Sequence, residues 1–137
     1  MSTENNKALV RSFYEEVINV ADFEGLDHLL AARFVDRFPT MGSRDLAGLK
    51  HTLAWRRSAF PDLHAQIDDL LAEDDKVVAR LTWSATRLGD LMGLALTGRQ
   101  VRFPGIDIFR IVDGRIVELW QSSDMAGMMM QLNVSSS

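Results

Sequence analysis

The sequence predicts an α+β domain: three helices in the first half laid on one face of a curved antiparallel sheet in the second, followed by a short terminal helix. Two observations carry this. Up to Phe60 the apolar residues recur at three- and four-residue steps, the period of a helix with one buried stripe. Beyond Pro61, β-branched and aromatic residues gather into runs divided by turn sequences. Helices and strands segregated along a chain in this way pack as helices on one side of a sheet.

Between Lys7 and Val20, the residues Leu9, Val10, Phe13, Val17 and Val20 fall on one helical stripe. Asp22 stands where a side chain caps a second, shorter helix carrying Phe23, Leu26, Leu29 and Leu30. A short extended run from Arg33 to Phe38 ends at Pro39, and Met41-Gly-Ser43 carries turn residues. The third helix runs from Leu46 to Phe60 with Leu46, Leu49 and Leu53 and the cluster Trp55-Arg56-Arg57, and stops before Pro61, whose ring disfavours helical geometry at the preceding residue. Strands follow over Leu63 to Ala72, Lys76 to Arg87, Gln100 to Val112 and Arg115 to Ser123, reversing at Glu73-Asp-Asp75 and at Asp113-Gly114. Asp-Gly accepts the positive φ that a two-residue hairpin demands, so the strands are expected to form a meander. Asp124 caps a last helix bearing Met125, Met128, Met129 and Leu132.

The 137 residues are 47% apolar and 25% charged, with no repeat or linker, so one domain spans 1–137 and only Ser135-Ser-Ser137 reads as a frayed tail. Cysteine is absent, which excludes thiol chemistry and disulfide frameworks. A net charge of −4 argues against nucleic acid as a partner. A polar N-terminus and the lack of a long apolar run argue against export or a membrane, leaving the cytoplasm as the expected location. His28, His51 and His64 have no metal-ligand spacing, and no phosphate loop, dinucleotide fingerprint or nucleophile elbow is present, so neither metal nor cofactor is expected.

Asp107 is the strongest chemical candidate, because it interrupts the apolar run Ile106, Ile108, Phe109 and Ile111. Strand alternation puts Phe103, Gly105, Asp107 and Phe109 on one face and Ile106, Ile108 and Arg110 on the other. If the first face is interior, desolvation raises the carboxyl pKa and fits it for proton transfer near neutrality. The alternative is an outer Asp paired with Arg102 or Arg110. Gln121 shares a face with Val117 and Leu119, at the polar end of an apolar row. Asp36 lies between Phe34 and Phe38 on one strand face, as a second carboxyl at a pocket mouth or as a surface partner of Arg33 or Arg37. Trp55, Arg56 and Arg57 offer a stacking ring and fixed charge suited to a planar phenolic or carboxylate-bearing ligand. Their alternative is a core Trp beside solvated arginines. Asp124 reads as a helix cap and the methionines at 125–130 as a deformable lid or core filler.

The stretch Gly105-Ile-Asp-Ile-Phe-Arg-Ile-Val-Asp-Gly-Arg-Ile-Val-Glu-Leu-Trp120, with Thr97-Gly-Arg99, Asp124, Ala59-Phe-Pro-Asp-Leu63 and Asp22-Phe-Glu-Gly-Leu26, resembles the SnoaL-like polyketide cyclase family. The resemblance spans nearly the whole chain. It implies a cone-shaped α+β barrel of the nuclear transport factor 2-like superfamily around an apolar pocket. It further implies a cofactor-independent tailoring enzyme, a polyketide or related natural-product cyclase acting on a hydrophobic, oxygenated small molecule. The alternatives it leaves are a SnoaL-like hydroxylase, an isomerase, an epoxide-opening enzyme or a non-catalytic binding module. Relatives carry an acid directly after this Trp, whereas Gln121 here can hydrogen-bond but not carry a proton. Ile106-Asp-Ile-Phe-Arg-Ile111 is also similar to a strand of the ketosteroid isomerases, whose Asp is held protonated against an enolate oxygen. In that alignment Phe38 takes the general-base position and Phe13 the place of a Tyr, which argues against steroid isomerisation. The expected catalytic set is therefore Asp107, Gln121 and Asp36, with Phe13, Tyr14, Phe38, Trp55, Phe103 and Leu119 as the substrate-binding walls. Arg87 is expected at the pocket mouth or at the end of its strand. A homodimer is expected through the outer sheet face, with Ile106, Ile108, Ile116 and Trp120 supplying apolar area.

Overall fold

The structure, a computed structural model, describes residues 2–38, 42–86 and 100–136, with the backbone alone at 38, 42–43 and 132–136. Pro39 and Met41, on which part of the expected turn falls, Arg87 and Thr97-Gly-Arg99 lie outside the described residues. Helix α1 (Thr3–Ser12) starts at Ser2, whose hydroxyl accepts the Asn5 N–H, and continues into a π-helical turn over Phe13–Ile18. Asn19 N–H reaches the carbonyl of Tyr14, five residues back. The wider turn lets the consecutive Phe13 and Tyr14 both enter the core, as Val17 and Ile18 then do. The second helix is shorter than the sequence suggests: a 3₁₀ turn at Phe23–Gly25 leads into α2 (Leu26–Leu29), and the Asp22 side chain makes no capping bond to it. Asp45 caps α3 (Leu46–Ala59) by accepting the Gly48 N–H at 2.8 Å.

Strands β1 (Leu30–Phe38), β2 (Gly42–Arg44), β3 (His64–Glu73), β4 (Lys76–Ala85), β5 (Val101–Val112) and β6 (Arg115–Ser123) form one sheet in the order β2-β1-β6-β5-β4-β3. The last four strands are the expected meander, and Asp113 and Gly114 turn it with φ of 52° and 76°. The extended run after α2 begins at Leu30, earlier than the sequence suggests, and joins β6 in parallel, so the sheet is antiparallel everywhere except at this pair. Register shifts interrupt β1–β6, β3–β4 and β5–β6, the irregularities that bend and twist a sheet around what it encloses. Asp124 caps α4 (Met125–Ser136), its carboxylate accepting the Gly127 N–H at 2.9 Å. Among the described residues no helix is long and apolar enough to cross a membrane.

The inner face is read directly from β5, where Val101, Phe103, Gly105, Asp107, Phe109 and Ile111 are buried and the intervening residues face outward. Opposite them α1, its π turn and α3 supply Val10, Phe13, Tyr14, Val17, Leu49 and Leu53 to one core. On the outer face Ile106 is 49% exposed and Ile108 and Trp120 are partly covered, but Ile116 is fully buried. The expectation that Ile116 belongs to an outer apolar patch is corrected by the register shift between Arg110 and Ile111, which pairs Ile116 with Ile111 and turns it into the core.

Candidate active site

Asp107 sits at the centre of the inner face, 1% exposed, with Ala79 of β4 on one side and Gln121 of β6 on the other. Tyr14, fully buried, descends on it from the π-helical turn and donates its hydroxyl hydrogen to Asp107 Oδ2. The Tyr14 ring is held edge-on by Phe13 at 5.1 Å, Phe109 at 5.8 Å and Trp83 at 6.3 Å between centroids. Neither outer-face partner applies: the Arg110 guanidinium is engaged by Asp75 and Glu118, and Arg102 lies on the exposed side of β5.

Burial pushes the Asp107 carboxyl up to about 7, since an anion there loses its water; the Tyr14 hydrogen bond and the positive field of Arg56 act the other way, and nearby Asp36 adds to the rise. The same burial, with the neighbouring Asp107 carboxylate, lifts the Tyr14 phenol well above its ordinary value, so Tyr14 keeps its proton and acts as a donor. One proton carrier poised near neutrality thus faces one fixed donor.

Asp36 is fully buried on β1 beside Leu119, and its cation is Arg44 of β2 at 3.5 Å, in place of the Arg33 or Arg37 expected for a surface residue. Arg37 instead pairs with Glu118. Burial raises the Asp36 carboxyl as well, against the attraction of Arg44 and Arg56. An open cleft of about 480 Å³ is lined by Phe34, Val35, Arg44, Asp45 and Gly48, the Arg44 that pairs with Asp36 among them.

Of the expected walls, Phe13, Tyr14, Phe103 and Leu119 are all interior, and Phe103 stacks on Trp83 at 6.5 Å. The Phe38 side chain lies outside the described residues. Trp55 is 54% exposed, which corrects both its place among the walls and its alternative as a core residue. Helical phase is the reason: from Leu49 and Leu53 the inward stripe of α3 passes next through Arg56. Arg56, expected to be solvated, is partly covered with its guanidinium 5.9 Å from the centre of the Trp83 ring, and desolvation lowers its pKa against the fields of Asp107, Asp36 and Tyr14. Arg57 is also tied down, donating to the carbonyl of Leu63 at 2.8 Å.

Trp83 is an interior residue that the sequence reading missed, and of the three adjacent candidates Trp55, Arg56 and Arg57 it did not single out Arg56. The phase of α3 carried the signal for Arg56, whereas Trp83 continues the inward alternation of Val77, Ala79 and Leu81 and looks like plain core. The Trp83 indole N–H is buried without a partner and lies over Gly105, where a Cβ would come within 2.8 Å of Nε1. Glycine at 105 is what lets the indole approach β5 so closely. Phe13, expected at the place of a Tyr, packs on Phe109 at 5.2 Å, and its neighbour Tyr14 reaches the acid. Among the described residues no three His, Cys, Asp or Glu side chains converge as metal ligands.

Residues 8–132 match the family model for SnoaL-like polyketide cyclases. Among solved structures, the chain is similar to IdmH of Streptomyces antibioticus, provisionally assigned as a polyketide cyclase, with 30% identity, a TM-score of 0.84 and coverage of 92% of this chain and 96% of that one. A protein of Acidithiobacillus ferrooxidans with the same provisional assignment shares 29% identity with a TM-score of 0.85, covering 98% of this chain and 99% of its own. AclR of Streptomyces galilaeus, provisionally assigned as a hydroxylase, shares 28% identity with a TM-score of 0.84, covering 97% and 83%. Comparison with curated protein sequences gives no match.

Proposed function

Because the chain belongs to the SnoaL-like polyketide cyclase family, we propose that it is a cofactor-independent tailoring enzyme that closes a ring in a hydrophobic, oxygenated small molecule by acid/base catalysis. The observation that carries this reading is the buried Asp107 carboxyl, hydrogen-bonded by Tyr14 and titrating near 7. An acid with that pKa works in both directions at neutral pH. In its ionised form Asp107 removes a proton from a carbon between two carbonyl groups. The resulting enolate carbon attacks a second carbonyl of the same molecule, one C–C bond forms, and the new alkoxide takes the proton back from Asp107. Nothing is oxidised or reduced, and the product has the mass of the substrate.

Gln121, directly across the strand pair from Asp107, supports this chemistry as an orienting group. Its amide can donate to a carbonyl oxygen while Asp107 alone moves the proton. The acid that relatives carry after the Trp is thus not needed at 121 if the neighbouring strand provides one. Outside the site, we expect a second copy to seat on the outer sheet face around Ile106, Ile108 and Trp120, without Ile116.

The test is incubation of the purified protein with a panel of linear and partly cyclised poly-β-ketone esters, followed by chromatography coupled to mass spectrometry. The expected result is a new peak of unchanged mass with no added cofactor. Its rate as kcat/KM should rise through about pH 7 as Asp107 ionises and then level off. A rate with no inflection between about pH 5 and 9 removes Asp107 as the base.

A further inference from the structure

We propose that Arg56 is an anion receptor inside the site, and that the substrate is a planar conjugated acid, a carboxylate or an ionised β-dicarbonyl enol, whose delocalised oxygen pair docks on its guanidinium. This rests on the placement of the reacting site at Asp107 and adds the chemical class of what enters it.

Two neighbouring donors, the Arg56 guanidinium and the Trp83 indole N–H, lack acceptors among the described residues. Arg56 lies on the inward stripe of α3, seven residues after Leu49 and three after Leu53, and is partly covered, yet among the described residues it makes no hydrogen bond and no ion pair. Its guanidinium stands 5.9 Å from the centre of the Trp83 ring, a contact that supports the cation without satisfying any of its N–H groups. The Trp83 indole N–H is buried and unpartnered. Buried polar groups in folded proteins are almost always satisfied, so an orphaned indole N–H beside an uncommitted guanidinium points to a missing acceptor.

The sign of that partner follows from the donors. A guanidinium presents a planar fork of N–H groups that matches the two oxygens of a carboxylate or of an ionised 1,3-dicarbonyl. Neither protein carboxyl fills this role, because neither Asp107 nor Asp36 comes within ion-pair distance of Arg56, although both bear on it electrostatically. A neutral ligand would leave the charge unanswered. The flat Trp83–Phe103 stack beside the guanidinium favours a flat ligand for the same reason that it favours the guanidinium itself.

The experiment is calorimetric titration of naphthoate, its neutral isostere naphthamide and a cyclic β-diketone into the wild-type protein, Arg56→Gln and Arg56→Lys, with folding checked by circular dichroism. The wild type should bind naphthoate and the ionised β-diketone about 10- to 100-fold more tightly than the amide, the range for loss of a charge-assisted hydrogen bond. Arg56→Gln should erase the preference, and Arg56→Lys should retain part of it, since it keeps the charge but loses the fork. Equal binding of acid and amide by the wild type, absence of binding by both acids, or a preference that survives Arg56→Gln would each overturn the assignment. Should Arg56→Gln not fold, the wild-type comparison still decides. The readout is binding without turnover, so a failure at Arg56 leaves the reading of Asp107 standing, and a failure of Asp107 to support turnover leaves this one standing.

Discussion

Replacing Asp107 by asparagine is expected to lower kcat about 10²- to 10⁴-fold, the usual contribution of a positioned general base, while leaving the fold intact. The amide keeps the shape of the side chain and still accepts the Tyr14 hydroxyl, so the site loses its proton carrier and little else. Stability should change in the opposite sense to activity. The Asp107 carboxyl has a folded pKa of about 7 against an ordinary value of 3.8, so between those values the folded chain holds a proton that the unfolded chain has released. Stability therefore falls as pH rises across this window, and above it the wild type carries the full cost of a buried anion, a few kcal/mol at most. Asp107→Asn should accordingly be more stable than the wild type at about pH 8, with the difference fading as the pH is lowered toward 4. Urea titrations at the two pH values read this directly. A variant less stable than the wild type at the higher pH would mean that the anion is well solvated or well paired.

Phe109→Ala is expected to cost about 3–5 kcal/mol, the largest stability loss of any single truncation argued for this chain. Phe109 is fully buried between Val77 and Leu119 on the sheet and meets Phe13 and Tyr14 edge-on at 5.2 and 5.8 Å. Removing the ring leaves a cavity under the π-helical turn that the rigid sheet cannot close. A domain of this kind has only about 5–15 kcal/mol of stability in total, so the urea midpoint should drop steeply. The same cavity frees the Tyr14 ring, so turnover should fall even where the protein remains folded. A loss below about 1 kcal/mol would show that Phe109 is not part of a close-packed core.

These two residues also mark how far the sequence could be read. Both lie on β5, where strict alternation over twelve residues places Asp107 and Phe109 on the inner face with no knowledge of the rest of the fold. The meander was legible for the same reason: its turns carry Asp-Asp and Asp-Gly, and its strands neighbour each other in sequence. What was not legible depends on non-local pairing or on broken periodicity. The parallel contact of β1 with β6 joins segments some eighty residues apart and leaves no local mark. The burial of Ile116 follows from one register shift, and the choice of Tyr14 over Phe13 as partner of the acid follows from one π-helical turn. Arg56 was obscured by its neighbours: in Trp55-Arg56-Arg57 composition suggests that the tryptophan is the buried member, and only the phase set by Leu49 and Leu53 says otherwise. Asp36 was visible as a carboxyl between aromatic residues, but its partner Arg44 comes from β2, whose three residues carry no local strand signal.

The measurement that bears most directly on the whole account is a carboxyl titration by carbon NMR on protein labelled at aspartate, comparing the wild type with Asp107→Asn. The account predicts one resonance that moves with a midpoint near 7 in the wild type and is missing from the variant. If every aspartate resonance instead titrates near the ordinary value of 3.8, Asp107 is in contact with water and cannot be the proton carrier of a sheltered site.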